Sequence, residues 1–283
     1  MKSKWRLTVG AAVIAVSLVG YCANAQRYRL AWSDEFDYKG LPDSTKWTYD
    51  VGDGCPVFCG WGGNEEQYYT FKRTNNARVE SGYLVIEAHQ EKFGDADYTS
   101  ARVVTRGKNE WLYGKIEVRA RLPAGSGTSP AIWMLPYFDD RPVKLPEDGQ
   151  LDIMVHSGAE VEVIHGMVHT SAYNLALGTE RMGHIQLSAV DKRFHTFSIE
   201  WTPTKIEWFV DGKKYHKVVD DGTGKDGWPF FNPFYLILNV SVRQGQGLES
   251  TDWPQRMEID FVRVYQRKPK KRPQGEEFMD EGF

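Results

Sequence analysis

The sequence has few cysteines, no excess of charge of one sign and only one long apolar run. Its 35 Lys and Arg residues nearly balance 38 Asp and Glu residues, giving a formal net charge of −3, which does not indicate a nucleic-acid partner. With 41% hydrophobic and 26% charged residues, the composition is not that of a disordered chain. We therefore expect a folded protein, and 283 residues suffice for one large domain.

The single long apolar run lies at the N-terminus and has the pattern of an export signal. Basic residues in the segment 2–6 precede the run, and Ala23-Asn24-Ala25 follows it as a small-residue cleavage site. We predict that residues 1–25 are a signal peptide. The mature protein would then be secreted, periplasmic or at the cell surface, with no transmembrane segment. Cys22 could instead carry a lipid anchor, but the bulky Tyr21 before it disfavours that alternative.

The other two cysteines, Cys55 and Cys59, lie four residues apart in a loop rich in glycine and proline. In an exported protein this spacing predicts a local disulfide. A metal site is the alternative, but no histidine or further cysteine stands close by in sequence. We therefore predict a disulfide at this loop, and neither a metal ion nor a cofactor.

Apolar and polar residues alternate along most of the chain, and no segment keeps a helical period. Tyr113–Leu122 alternates most clearly, Asp211-Gly212 predicts a hairpin turn, and Phe234–Val242 is apolar on both faces, as in a central strand. Closely spaced strands favour an all-β jelly-roll sandwich over a parallel sheet. The other predicted strands are Arg27–Asp37, Val79–Glu87, Ser100–Arg106, Ala131–Leu135, Val161–Thr170, Phe194–Trp201, Lys205–Val210, Lys213–Val218 and Arg256–Tyr265.

Two long segments lack a strand pattern. Residues 39–76 are predicted to be loop, and within them residues 60–69 hold a dense run of aromatic and amide side chains that either packs the loop or contacts a ligand. Residues 267–283 carry basic and then acidic residues, which predicts a solvated, disordered tail. The predicted domain therefore spans residues 26–266.

Near the middle of the chain, Gly149–His156 is predicted to be a strand with polar groups on one face. Gln150 and Asp152 share a face because side chains alternate along a strand. One extra residue inserted as a bulge at Ile153-Met154 returns Val155 to that same face. We therefore expect these three positions to line the floor of a cleft.

Short motifs run through the chain in a fixed order: Trp32–Asp37, Asn64–Thr70, Tyr98–Arg102, Tyr113–Glu117, Leu122–Gly125, Asp152–Met154, Val168–Thr170, Phe194–Phe197, Glu200–Pro203, Phe209–Gly212 and Pro254–Met257. From about residue 28 to residue 266 the chain resembles bacterial family 16 glycoside hydrolases of the laminarinase (endo-β-1,3-glucanase) type. The resemblance implies a concanavalin A-like jelly roll of two curved antiparallel sheets, with a long open cleft that holds a β-glucan.

The sequence departs from this family at the positions that carry the chemistry. The family signature is Glu-x-Asp-x-x-Glu on a bulged strand, with the first Glu as nucleophile and the last as general acid and base. The matching positions here are Gln150, Asp152 and Val155. A retaining glycosidase needs two carboxyl groups about 5 Å apart, and the retained Asp152, a helper position, cannot supply both. The resemblance therefore implies a protein that has lost both catalytic carboxylates.

The resemblance also implies which residues bind the glycan. Three of these residues have an alternative role without a ligand. Arg102 could be a surface charge, His169 a core histidine, and Asn239 a hydrogen-bonding group at the end of a strand. Two places depart from the laminarinase type, because Ser129 stands where it has Trp and the segment 242–247 replaces a loop with Gly and Trp. The implied glycan-binding residues are Asn64, Arg102, Trp133, Gln150, His169 and Asn239.

Three functions remain open from the sequence. The favoured hypothesis is a non-catalytic protein that binds a polysaccharide, with a laminarin-like β-glucan as the preferred partner. The second is an active endo-glycoside hydrolase or transglycosylase on a β-1,3-glucan-type polysaccharide that uses other acids, such as Asp148, Glu160 or Glu162. The third is a scaffold with neither activity nor affinity.

Overall fold

The computed structural model describes residues 28–245 and 247–268. The predicted signal peptide, residues 1–25, and residues 269–283 of the predicted tail lie outside the described residues. The strands are β1 (Tyr28–Asp34), β2 (Thr48–Asp50), β3 (Gln67–Tyr69), β4 (Ala77–Glu80), β5 (Tyr83–Phe93), β6 (Ala96–Ser100), β7 (Arg102–Val104), β8 (Gly114–Arg121), β9 (Thr128–Pro136), β10 (Gln150–His156), β11 (Val163–His169), β12 (Arg181–Gln186), β13 (His195–Thr202), β14 (Lys205–Val210), β15 (Lys213–Val219), β16 (Phe234–Val242) and β17 (Gln255–Arg267).

The described strands form two sheets that pack over one core. The ten-stranded sheet has the order β15-β14-β13-β8-β17-β5-β6-β3, with β1 beside β17 and β4 beside β5. The seven-stranded sheet has the order β12-β11-β10-β9-β16-β7-β2. Strand pairs are antiparallel except β3 with β6. The predicted all-β sandwich is confirmed, and the strand that carries Asp152 lies near the middle of the seven-stranded sheet.

Several predicted strands match the structure closely. β16 has the predicted bounds, is buried at all nine positions and lies between β9 and β7, as a central strand does. β8 alternates strictly between buried and half-buried side chains. The predicted hairpin turn at Asp211-Gly212 joins β14 to β15, with both residues at positive φ (49° and 77°), as a two-residue turn of this type requires.

The prediction was wrong where a turn or a sheet change interrupts an apolar pattern. The segment 79–87 forms parts of two strands, because Ser81 and Gly82 (φ 55° and 83°) turn the chain between β4 and β5. The segment 100–106 is divided between β6 and β7, which belong to different sheets. The predicted loop 39–76 contains β2 and β3, and the edge strand β12 was missed because its side chains are mostly polar.

The described helical segments are short 3₁₀ turns, and none of them is long and apolar enough to cross a membrane. One of these turns follows the predicted disulfide, which is confirmed: Cys55 and Cys59 are bonded, with an S–S distance of 2.07 Å. The 3₁₀ turns are Cys59–Gly62, Gly158–Glu160, Leu175–Leu177, Gly224–Asp226 and Leu248–Ser250.

A tryptophan in the core connects the two sheets. Trp208 in β14 is fully buried, and its indole Nε1–H donates a 2.8 Å hydrogen bond to the backbone carbonyl of Asp152 in β10. Gly166 in β11 makes room for this ring, because an added Cβ there would lie 2.5 Å from Trp208 Cδ1. The ten-stranded sheet thus supports β10 directly beneath the residue that faces the predicted cleft.

We expect Trp208→Phe to lower the free energy of unfolding by about 1–3 kcal/mol more than Trp201→Phe, because only the first change leaves a buried carbonyl without its donor. Both tryptophans are fully buried, but the indole nitrogen of Trp201 has no hydrogen-bond partner among the described residues. Chemical denaturation of the two variants measures the difference. Equal losses in the two variants would show that the bond to Asp152 contributes nothing measurable.

Candidate functional site

The strand β10 contains the predicted bulge. Its register with β9 shifts between Asp152, opposite Trp133, and Met154, opposite Ile132, and its register with β11 shifts over the same segment. Ile153 and Met154 are both buried in the core. The bulge therefore turns Asp152 and the residue after Met154 toward the same side, as predicted.

The side of the seven-stranded sheet that points away from the core is called the cleft face here. Its members follow from the cross-strand pairs, since residues directly opposite each other in a sheet share a face. Asp152 is opposite Trp133 and Val155 is opposite Ala131, while Gln150 is opposite His169. The cleft face includes Arg102, Trp133, Gln150, Asp152, Val155, His165, His169 and Asn239.

Asp152 joins two of the predicted site residues. Its side chain is almost fully buried; its Oδ1 accepts a 2.8 Å hydrogen bond from Gln150 Nε2, and its Oδ2 lies 3.0 Å from His169 Nε2. Burial alone would lower the pKa of His169, but the hydrogen bond and negative charge of Asp152 outweigh that effect and raise it above its usual value. His169 is therefore a partner of Asp152 on the cleft face, and the alternative of a core histidine is wrong.

The position of Val155 is apolar and bordered by histidine. Val155 lies opposite Ala131 on one side and His165 on the other. His165 Nε2 is 3.7 Å from a carboxylate oxygen of Glu160, which is 63% exposed and lies in the 3₁₀ turn after the strand. The strand itself carries no acid at this position.

Three other predicted site residues are joined by direct contacts. Trp133 Nε1–H donates a 2.8 Å hydrogen bond to Asn239 Oδ1, so Asn239 does more than end a strand. The guanidinium of Arg102 stacks 4.6 Å from the Trp133 ring and 4.5 Å from the Trp61 ring, and it pairs with Asp50 at 3.1 Å. Arg102 is 6% exposed, so the alternative of a simple surface charge is wrong.

A chain of hydrogen bonds continues this network into the loop before β3. Asn239 Nδ2 donates to the hydroxyl of Tyr69, and that hydroxyl donates to Glu65 Oε2, at 3.0 and 2.9 Å. Gln67 Nε2 also donates to Glu65 Oε2, at 2.8 Å. The aromatic and amide run at residues 60–69 is thus built into the wall of the cleft face. The sequence signal was present, but it did not separate packing from binding.

The remaining predicted positions lie at the margin of this network. Asn64 is exposed in the loop, with φ 53°. Ser129 is buried, and its hydroxyl donates a 3.1 Å hydrogen bond to the backbone carbonyl of His156, the last residue of β10. Its side chain therefore provides a hydrogen-bond donor to that buried carbonyl. Arg243 follows β16, and its backbone bridges to Glu65.

A concave region lies away from the residues of the cleft face. It is a polar depression of about 560 Å³ at the ends of the strands, and Arg121, Asp191, Gln255 and Glu258 are among its lining residues. Arg121 and Glu258 bond each other there, and no aromatic side chain lines it. The described residues contain no group of three or more His, Cys, Asp or Glu side chains that could hold a metal ion. The joined aromatic and polar groups therefore place the candidate site on the cleft face.

Comparisons with known proteins show the family of this chain. The family model described as glycosyl hydrolases family 16 matches residues 64–263. This chain belongs to that family. A β-glucanase of Rhodothermus marinus is 48% identical to it over 254 residues, which cover 85% of this chain and 86% of the relative. The structure of the laminarinase from Rhodothermus marinus matches with a TM-score of 0.79 and 46% identity, over 86% of this chain and 98% of that one.

A further family 16 structure is a Glu-to-Ser mutant of SCLam, a non-specific endo-β-1,3(4)-glucanase. It matches with a TM-score of 0.78 and 40% identity, over 84% of this chain and 95% of that one. It was co-crystallised with 1,3-β-D-cellotriosyl-glucose and presents a 1,3-β-D-cellobiosyl-glucose at its active site. A family 16 domain altered at a glutamate can therefore still hold a glucan.

We expect an NMR pH titration to give His169 a pKa above about 6.5, the usual value for histidine, and Asp152→Asn to lower that pKa. Because the folded-state pKa is raised, the pair stabilises the fold fully below the unfolded-state pKa, and this contribution is lost as the pH rises through the folded-state pKa. Asp152→Asn keeps the size of the side chain and removes only its charge. An unchanged His169 titration would contradict the assignment.

Proposed function

We propose that this protein is an exported family 16 member that binds a β-glucan chain on its cleft face and does not hydrolyse it. The observation that carries the proposal is the pair of residues that flank Asp152 on the bulged strand. Gln150 is an amide whose nitrogen is held by Asp152, and Val155 is an alkyl group opposite Ala131 and His165. Neither side chain can act as the nucleophile or as the general acid of a glycosidase.

Retaining hydrolysis of a glycoside needs one carboxylate to attack the anomeric carbon and one carboxylic acid to protonate the leaving oxygen. The Gln150 amide is a poor nucleophile toward such a centre, and Val155 has no proton to give. Loss of general acid catalysis alone typically costs about 10²–10⁴ in rate. The covalent route is removed in addition, so we expect no measurable turnover.

The other acids considered from the sequence are poorly suited to replace the missing pair. Arg141 forms two hydrogen bonds to Asp148, at 2.6 and 2.8 Å, and this contact holds the pKa of Asp148 below its usual value. Asp148 therefore stays ionised and cannot donate a proton near neutral pH. Glu160 and Glu162 are exposed and follow the end of β10, outside the bulged strand that carries Asp152.

Binding requires none of the missing groups. A sugar chain is held by aromatic faces and by convergent hydrogen-bonding groups, and the cleft face offers Trp133 with Arg102, Asn239, Gln150 and the Asp152–His169 pair. Trp133 and Arg102 are fixed by their own partners, so little conformational entropy is lost when a ligand binds. The glucan held by the SCLam mutant supports the view that a family 16 cleft can bind without its full set of glutamates.

An active endo-glycoside hydrolase or transglycosylase is the second candidate. It is favoured by the names of the relatives, which are a β-glucanase and a laminarinase. Such an enzyme would need an acid and a nucleophile from outside positions 150 and 155. A direct assay separates the two candidates.

We expect the purified protein to release no reducing sugar from laminarin or mixed-linkage β-glucan above a heat-denatured control. The double variant Gln150→Glu with Val155→Glu restores two carboxyl groups on the bulged strand and should gain activity. Each single variant supplies one group and should stay inactive, which makes the pair of single variants a matched control. Turnover by the unaltered protein would overturn the non-hydrolytic proposal and favour the second candidate.

We expect Trp133→Ala to weaken binding of laminarin by about fivefold or more, because truncation of an aromatic residue at the centre of a binding site typically costs over about 1 kcal/mol. Affinity electrophoresis in laminarin-containing gels measures the change. Trp133→Phe keeps a ring for stacking and should bind more tightly than Trp133→Ala. If the unaltered protein and both variants migrate alike with and without polysaccharide, the protein does not bind this glucan and the scaffold hypothesis gains support.

A further inference from the structure

Arg243 extends the row of cleft-face residues carried by β16. Asn239 and Ser241 lie opposite Ala131 and Ser129 of β9, and alternation places the side chain two residues further on the same side. The backbone N–H of Arg243 donates a 2.9 Å hydrogen bond to the carbonyl of Gly127, and its backbone also bridges to Glu65. The main chain on both sides therefore holds this residue at the edge of the cleft face.

The guanidinium of Arg243 is partly buried and has no hydrogen-bond or ion-pair partner in the part of the chain that the structure describes. Among the described residues it makes no ion pair within 4 Å and no side-chain hydrogen bond, and its buried Nε has no acceptor. It packs against the loop at Gly63, where an added Cβ would lie 3.4 Å from Nη2. The carboxylate of Glu65 is nearby, with Oε1 3.6 Å from the same Cβ position, but it lies more than 4 Å from the guanidinium nitrogens and its Oε2 accepts hydrogen bonds from Gln67 and Tyr69.

Other arginines with limited exposure are paired. Arg102 and Arg106 share the carboxylate of Asp50, at 3.1 and 2.6 Å. Arg121 pairs with Glu258. Arg243 therefore differs from these arginines, because no acceptor among the described residues pairs with it. Burying an unpaired charge costs free energy, so this position is unusual.

We propose that Arg243 receives an anionic substituent, a sulfate ester or a carboxylate, of the polysaccharide that lies on the cleft face. The inference rests on the proposed glycan binding and names the class of glycan. The planar guanidinium presents several N–H donors in a fork that matches the oxygens of a sulfate or carboxylate. A neutral glucan would leave the charge of Arg243 without a counter-ion.

The charges around Arg243 favour an anionic ligand. On the β16 side of the cleft face, Arg102 and Arg106 share the carboxylate of Asp50, whereas Arg243 forms no ion pair within 4 Å among the described residues. Positions 150 and 155 add no negative charge, and Asp152 is paired with His169. An anionic chain therefore meets no unpaired carboxylate on the bulged strand.

Three forms of one polymer test the proposal: laminarin, laminarin bearing sulfate esters, and laminarin oxidised at C6 to carboxylates. We expect at least one anionic form to bind more tightly than neutral laminarin in isothermal titration calorimetry. Arg243→Gln should weaken that binding by about tenfold or more, as loss of a charge-assisted hydrogen bond does, and leave binding of neutral laminarin unchanged. The preferred anionic form distinguishes sulfate from carboxylate.

Arg29→Gln, an exposed position on the other sheet, removes the same charge away from the cleft face and should change nothing. Arg243→Lys keeps the charge without the fork and should fall between the parent and Arg243→Gln. Equal affinity for the three polymers, or loss of affinity in Arg29→Gln as large as in Arg243→Gln, overturns the role of Arg243 and leaves the proposed function standing. Failure of all three polymers to bind overturns both.

Discussion

Three oxygen atoms of Asp152 hold the core, the bulged strand and the cleft face in one arrangement. Its backbone carbonyl accepts from Trp208 of the opposite sheet, and its two carboxylate oxygens contact Gln150 and His169. A carboxylate that is 2% exposed is tolerated only when its oxygens are occupied. The position of Gln150 and the charge of His169 therefore both depend on this one side chain.

Under the proposed function, Asp152 helps to bind a glycan but cannot cleave it. Asp152 can order its neighbours and accept hydrogen bonds, but a single carboxylate bound to an amide and an imidazole cannot both attack and protonate a glycosidic bond. The absence of charge at positions 150 and 155 has a second effect. A carboxylate about 4 Å from an anionic group repels it by about 1 kcal/mol in bulk water and about 4 kcal/mol near a protein surface. Under the proposed function, the same two positions that prevent hydrolysis thus also remove a barrier to an anionic chain.

Much of the fold followed from local patterns in the sequence. Alternation predicted β8, two apolar faces predicted β16, and the bulge followed from the need to bring Val155 to the side of Asp152. The failures came where local pattern carries no information. Ser81-Gly82 forms a turn within an apolar pattern that otherwise continues. The edge strand β12 has mostly polar side chains, so its sequence shows no strand pattern.

The family resemblance supplied the members of the candidate site, and the structure adds the contacts between them. Arg102, Trp133 and Asn239 were identified through the family resemblance, yet the stacking of Arg102 between Trp61 and Trp133 joins residues from three distant parts of the chain. The lack of a partner for Arg243 within residues 28–245 and 247–268 is likewise a property of the packed structure. Sequence spacing cannot show which charges end up paired.

The most direct test of the account is a crystal structure of the protein after prolonged incubation with a β-1,3-linked glucose hexasaccharide. The account predicts one unbroken sugar chain that stacks on Trp133 and passes across Gln150 and Val155. A cleaved oligosaccharide, or a glucosyl group covalently attached to a side chain, would contradict the non-hydrolytic function. A cleft face without bound sugar at saturating concentration would contradict binding of this glucan.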